Sequence, residues 1–426
     1  MGFLGRHIVW GPVTMGLLVE LCAAQSFDIG YFAPTLVGSG ARATAMGSAG
    51  VAAVNDGMAA AVNPAALTRI AGSQALVAGR FTFGSFSAQP RSPLPQDVSL
   101  ESSLGSDLTP EFVGVVFPLS ASGRRVIGAL AVTNILDLGR STLFRWIVGR
   151  EYPIRNYRDI EQTLNGGLYA LTAAVGAELN TRTSVGLTVH FLSGRQKVEW
   201  TERTATEGVE TVQKSWRQEN KFSGLALEIG STARVGKSLD LGLKLSLPHT
   251  LTFVHPSFTA SARDSVLNDL NLKVPLFFAL GTSFRPWGRM CIALDFRWAP
   301  WSEAAFDTVG WVPRLRLPDA HSVHVGFEYL FPIREWLLPV RLGFHTDPRA
   351  EYQFAAQEPE HWGDPISGIA LCGGLGVQSS LVSFDLSVDF GLSSYTGRNV
   401  FAEVPEGWKI KEQKIKVVFA AMVRVQ

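Results

Sequence analysis

Cysteine is scarce in this chain: three in 426 residues. Cys22 falls in an N-terminal apolar stretch, and only Cys291 and Cys372 follow it. On separate strand-like segments these two read as free thiols, and they define no metal site. Charge is scarce too. Asp, Glu, Lys and Arg make up 18% of the chain, against roughly 25% in soluble domains. The balance is nearly even, with a formal net charge of +1, which argues against nucleic acid as a partner. Long apolar runs are missing after the N-terminus, so a bundle of membrane helices is unexpected. There is no GxSxG elbow, P-loop, HExxH or CxxC. The chain reads as a non-enzyme with no cofactor and no bound metal.

What is present begins with a leader. Arg6 and His7 precede an apolar region from Ile8 to Val19, and Cys22-Ala23-Ala24 offers small residues for cleavage. Residues 1–25 therefore read as a secretory signal peptide. A lipoprotein reading at Cys22 is opposed by Glu20, which stands where such a signal wants a small or apolar side chain. From Gly38 to Leu67 the chain is rich in Gly and Ala and ends on Asn63-Pro64-Ala65. So small-sided a segment has little with which to build a core, but glycine lets its backbone fit closely against something else. Asn-Pro punctuates it, because the residue before proline is pushed away from helix.

The remainder alternates. Leu239, Leu241, Leu243, Leu245 and Leu247 share one face of a strand, with Asp240, Gly242, Lys244 and Ser246 on the other. Met290 to Trp298 and Val382 to Phe390 repeat the pattern, with Asp295, Arg297, Asp385 and Asp389 opposing the apolar set. Such alternation fits a barrel wall between lipid and lumen, and equally one face of a soluble sandwich. The number and length of the runs favour the membrane. About fourteen strands are expected, near 74–88, 111–119, 124–138, 163–178, 183–199, 217–234, 239–253, 273–284, 289–300, 320–331, 338–347, 364–378, 381–392 and 410–426. Long links, such as 139–162 and 200–216, alternate with tight ones, as extracellular loops alternate with periplasmic turns in outer-membrane barrels. Trp146, Tyr152, Tyr157, Trp200, Trp216, Trp298, Trp301 and Trp311 flank long links and are expected in an aromatic girdle at the bilayer interface.

The pattern Gly40-Ala41-Arg42-Ala43, Met46-Gly47, Ala52, Asp56 and Asn63-Pro64-Ala65, set just before a first strand, resembles the N-terminal hatch of the FadL/TodX family, in a divergent, spirochaete-like version. Members of that family are outer-membrane channels for long-chain fatty acids and other hydrophobic compounds. The resemblance implies an all-β fold: a transmembrane antiparallel β-barrel of about fourteen strands with an N-terminal hatch inside the lumen. Residues 26–73 would be the hatch and 74–426 the barrel. The implied partners are hydrophobic small molecules, outer-membrane lipids and the barrel-assembly machinery.

Residue roles follow from the same resemblance. Phe27 and Phe32 are candidates for contact with a hydrophobic pocket above the hatch, or else for packing the hatch against the wall. Arg42 either pairs with a lumen carboxylate or meets a ligand carboxylate, since a guanidinium matches that geometry. Asp56, Asn63, Pro64 and Ala65 read as structural points of the hatch, with the Asn63 amide fixing nearby backbone. Ligand exit through a kinked third strand would fall between Arg125 and Leu138, where Gly128 and Asn134 interrupt the apolar texture. Strand parity, apart from the resemblance, puts His324, Glu328, Asp295, Arg297, Asp385 and Asp389 on the lumen side, where they read as a salt-bridged polar lining that braces the barrel and seats the hatch, with an acid/base, phospholipase-like site as the alternative. A non-transporting barrel of this fold, serving as a secretion-system scaffold or surface adhesin, is the alternative function.

Overall fold

The computed structural model describes residues 40–90, 98–104, 108–121, 124–148, 156–206, 209–254, 270–307, 317–352, 363–397 and 408–425. Its wall is one antiparallel sheet that closes on itself. In chain order the wall strands are β1 (Ser73–Pro90), β2 (Val98–Leu104 and Leu108–Ala121), β3 (Arg124–Asp137 and Arg140–Val148), β4 (Asn156–Glu178), β5 (Thr183–Thr206), β6 (Val209–Val235) and β7 (Leu239–Ser246 and His249–Val254). They continue with β8 (Leu270–Val274 and Phe277–Phe284), β9 (Met290–Ala299 and Ala305–Asp307), β10 (Ala320–Ile333), β11 (Trp336–Tyr352), β12 (Pro365–Gln378), β13 (Val382–Gly397) and β14 (Trp408–Val425). Each pairs with its chain neighbours. β1 closes the ring against β14, in register from Ser73↔Val425 to Pro90↔Trp408. Every strand expected from alternation falls on one of these fourteen.

The alternation settles which face is which. Leu130 and Val132 of β3, Leu171 of β4, Leu187 and Phe191 of β5, Leu342 of β11, Leu371 and Leu375 of β12 and Phe384 and Leu386 of β13 are all exposed. Their neighbours along each strand, including Ala131, Thr172, His190, Arg341, Cys372 and Ser387, are buried. The large apolar side chains point outward and the polar ones inward. That inverts a soluble protein and matches a barrel whose outside is lipid. A soluble sandwich is excluded, because its apolar face would be the buried one.

The strands run further than alternation shows. The links expected at 139–162 and 200–216 are in large part paired backbone: Arg140–Val148 extends β3, and β5 and β6 stay paired up to Thr206↔Val209, with one bulge between Glu202 and Arg203. Trp200 lies opposite Trp216, and Glu199 meets Arg217 at 2.8 Å. Beyond the apolar belt the outward residues turn polar, as Glu199 and Thr201 do, so the period-two contrast of charge and hydrocarbon fades while the backbone ladder continues.

Residues 40–72 lie inside the ring. They carry two short helices, α1 (Ala41–Ala45) and α2 (Ala59–Val62), and a 3-10 turn at Pro64–Arg69. Asn63 starts that turn: its side chain accepts a hydrogen bond from the Ala65 amide at 3.2 Å, with Pro64 in the first position. Most of the segment is buried, Ala45, Ala52, Ala59, Ala60, Ala65, Ala66 and Leu67 completely.

Candidate functional site: a lumen sealed at one end

The inner segment sits at the short-turn end of the barrel. Being short and irregular, it cannot satisfy its own backbone, and buried backbone groups must find partners. The wall supplies them. Asp295 of β9 accepts from the Gly50 and Val51 amides at 2.7 and 2.9 Å. His324 of β10 meets the Gly47 carbonyl at 2.7 Å. Thr188 of β5 and Lys244 of β7 donate to the Ala60 and Ala61 carbonyls at 2.9 and 2.8 Å. Arg297 donates to the Ser48 carbonyl. Asn63 returns the connection, donating to the Val51 carbonyl at 2.8 Å and to that of Ser231 in the wall at 3.2 Å.

Arg42 is anchored by charge. Its Nη2 and Nε donate to the two carboxylate oxygens of Glu328 at 2.8 and 3.0 Å. Arg341 of β11 also binds Glu328, at 2.6 Å, and carries the chain on to Asp385 of β13, again at 2.6 Å. Burial disfavours the Arg42 charge, but Glu328 more than offsets it and holds the guanidinium above its usual range. Asp56 lies nearby. Burial raises its carboxyl above the usual range despite the opposing pull of Arg42, and it accepts from the Met58 amide at 3.0 Å. At the other end of the segment, burial followed by Asp240, Arg285 and Arg234 sets the balance at Arg69, which is lowered to about 10. Of the two roles foreseen for Arg42, pairing with the wall is the one its geometry fills.

Close approach makes this fit possible. Gly47 adopts φ +62°, and an added Cβ would lie 2.5 Å from the Phe344 carbonyl oxygen. Opposite it, a Cβ on Gly343 would lie 2.0 Å from the Gly47 nitrogen. Inward-facing wall glycines recur at this level, among them Gly176, Gly186 and Gly230 against Asn63 and Pro64, and Gly242 and Gly281 against Val51. They are nearly adjacent across strands, as the pairs Gly176↔Gly186, Gly186↔Gly230, Gly242↔Gly281 and Gly326↔Gly343 show. Read along one strand each is an isolated glycine, so the sequence does not reveal the band.

The long-link end is different. Leu192, Phe222, Leu251, Phe253, Leu272, Val274, Phe277, Ala299, Trp301 and Leu317 form one inward-facing apolar cluster. Phe222 and Phe253 meet edge to face at 5.1 Å, and Phe277 packs on Trp301 at 5.1 Å. Trp301 is a correction to the girdle expected from sequence. The chain leaves β9 through a short 3-10 turn, Trp301–Glu303, which swings the indole over the lumen. Trp200 likewise points inward and is buried. This apolar chamber escaped the sequence reading because its members lie one or two per strand.

Beside the chamber lies a cavity of about 1290 Å³, bordered by Leu108, Pro110, Asp137, Gly139, Gly167 and Phe222 among others. Here the wall is irregular. In the pairing of β3 with β4, Asn134 faces Tyr169 and Leu136 faces Leu168, leaving Ile135 as an extra, bulged residue. Regular pairing of β3 then stops at Leu138 and Gly139. Asn134 flanks this break, and its Oδ1 accepts from Arg80 at 3.4 Å. Gly128 does not: it lies in unbroken pairing between Phe117 and Val175. Phe27 and Phe32 lie outside the described residues, as does the leader.

One further polar set faces the lumen. His345, Cys372 and Asp389 bring their ligand-type atoms within 4.8 Å of one another. The same Asp389 oxygen meets His345 Nε2 at 3.1 Å and the Lys416 ammonium at 3.4 Å. Lys416 already supplies the positive charge the carboxylate needs, so the set braces β11, β13 and β14. Cys291 and Cys372 are free and buried.

No protein-family model matches the sequence, and no curated protein matches it. Solved structures do. A Pseudomonas aeruginosa FadL homologue superposes with a TM-score of 0.57 at 14% identity, covering 92% of this chain and 98% of its own. The toluene transporter TodX of P. putida gives 0.58 at 14%, covering 92% and 99%. The Ralstonia pickettii toluene transporter TbuX gives 0.56 at 16%, with the same coverage. At such identity the likeness is one of fold. With the apolar outer face, it places this chain among bacterial outer-membrane β-barrels built like the FadL and TodX channels.

Proposed function

We propose that the protein is a passive outer-membrane channel for long-chain fatty acids or similar hydrophobic molecules. The supporting observation is the apolar chamber at the long-link end, set directly over a segment that fills the lumen. A hydrophobic molecule entering from the loops meets an apolar surface and then a barrier. In this reading residues 26–73 are a hatch, Phe27 and Phe32 reach into the chamber, and Arg42, Asp56, Asn63, Pro64 and Ala65 hold the hatch in place. The way out is sideways, past Asn134 and the β3 bulge, where the cavity borders the wall. Residues 1–25 direct export, and the barrel-assembly machinery inserts the strands. The structures this fold resembles include the toluene transporters TodX and TbuX, which agrees with small apolar cargo. Transport needs no energy source, only ligand affinity and a downstream sink.

The test is retention. The protein is purified from membranes in mild detergent, and co-purifying lipids are extracted and identified by mass spectrometry. Stoichiometric fatty acid or another apolar molecule is expected. It should be lost from a variant lacking Ser26 to Leu67 and reduced in Phe222→Ala/Phe253→Ala, which keeps the hatch and removes chamber lining. An empty chamber in folded wild-type protein would favour the scaffold or adhesin reading. That reading draws on the β5–β6 hairpin, whose paired strands run on past the apolar belt with charged partners such as Glu199 and Arg217.

A further inference from the structure

We propose that the short-turn rim of the barrel binds the headgroups of anionic phospholipids. Six short turns join the strands at this end. Five of them carry an exposed cation: Arg124, Arg182, Lys237, Arg289 and Arg334. The sixth, Ser379–Leu381, is met by Arg424 from β14, which donates to the Ser379 carbonyl at 2.9 Å.

The rim's own acids do not balance these charges. Asp240 is shared by Arg234, Arg285 and Arg69, at 3.1, 2.6 and 3.6 Å. Glu178 lies 4.0 Å from Arg125. Among the described turn residues, Glu335 is the one exposed acid beside the five cations. The bland alternative is a set of solvated turn residues, since a lone surface charge in water costs little. Two features go beyond it. The five are of one sign and spread around the ring, and each stands next to the apolar belt. Leu119 is 41% exposed, Leu179 and Val235 are half exposed, Ile333 is 52% exposed and Trp287 67%. Trp336 is partly exposed as well. Long basic side chains beside amphipathic rings occur where hydrocarbon gives way to headgroups. Continuity with the belt makes a lipid leaflet the partner, and the sign of the charge selects anionic headgroups. A basic group near an anionic surface contributes about fivefold in affinity.

The experiment uses the full-length protein, delipidated in neutral detergent and then offered equal amounts of dioleoylphosphatidylglycerol and dioleoylphosphatidylethanolamine. Retained lipid is counted by native mass spectrometry. The wild type should retain the anionic lipid at least about fivefold over the zwitterionic one. The variant R124Q/R182Q/K237Q/R289Q/R334Q should drop to near parity while keeping the heat-modifiable gel shift of a folded barrel. A control, R217Q/K409Q/K411Q, removes exposed cations at the opposite end and should keep the preference. No preference in the wild type would overturn the proposal. So would an equal loss in the control, or a preference that survives in the five-site variant.

Discussion

At the scale of the residue, the inner segment is held by a few contacts with no substitute. Glu328 pairs with both Arg42 and Arg341 in a buried setting. Replacing it with Gln leaves two guanidinium groups short of a partner, a change that costs about 3–5 kcal/mol where a buried pair is broken. Glu328→Gln is therefore expected to expose Arg42 to trypsin in the folded, detergent-solubilised barrel, while the wild type stays uncut there. An equally protected Arg42 in the variant would show that the ion pair is incidental. Gly47→Ala tests steric fit. The new methyl would meet the Phe344 carbonyl at 2.5 Å with φ at +62°, and backbone cannot yield as a flexible side chain can. The same protease assay should show the segment unseated, with the barrel's heat-modifiable shift intact. Arg42 and Asn63 were visible in the sequence as the polar points of a small-residue run. Their partners Glu328 and Ser231 lie 286 and 168 residues away, and only the fold brings them together. The lumen-facing parity of Glu328, Asp295 and His324 was legible from strand alternation; which inner group each would hold was not.

At the scale of the element, β3 is the strand that departs from regularity. Deleting Ile135 would leave Asn134 opposite Tyr169 and Leu136 opposite Leu168, the pairs already present, and so would remove the bulge without turning either flank over. Uptake of an apolar substrate by cells carrying the deletion should fall several-fold if the break is the exit, with unchanged amounts of folded barrel. Undiminished uptake would move the exit elsewhere. The sequence placed an interruption in this strand but drew attention to Gly128 equally. A glycine reads as a weak point only until its neighbours are known, and here the Phe117 ring covers the place its side chain would take, a Cβ lying 2.9 Å away. The bulge at Ile135 has no local marker, because an apolar residue at either register looks the same.

At the scale of the whole molecule, the barrel separates three environments. Its belt faces lipid, its long-link end encloses an apolar chamber, and its short-turn end is filled. The filling makes a direct prediction for planar bilayers. The wild type should show almost no ion conductance, and the variant lacking Ser26 to Leu67 should open a conducting pore, because a ring of this many strands is wide enough for water once emptied. A silent deletion variant that is still folded would mean that wall side chains alone close the lumen. The barrel is legible in the sequence without any fold. Alternation of charge and hydrocarbon along each strand is a local, period-two property, and a bilayer enforces it strand by strand, so the number of crossings and the short turns can be read directly. The small-sided character of the segment inside is legible in the sequence too. Tertiary structure alone decided what the lumen contains. The glycine band, the chamber around Phe222 and Phe253, and the chain Arg42–Glu328–Arg341–Asp385 are each assembled from one or two residues per strand. Their meeting depends on the closure and stagger of the ring, which no single stretch of sequence encodes.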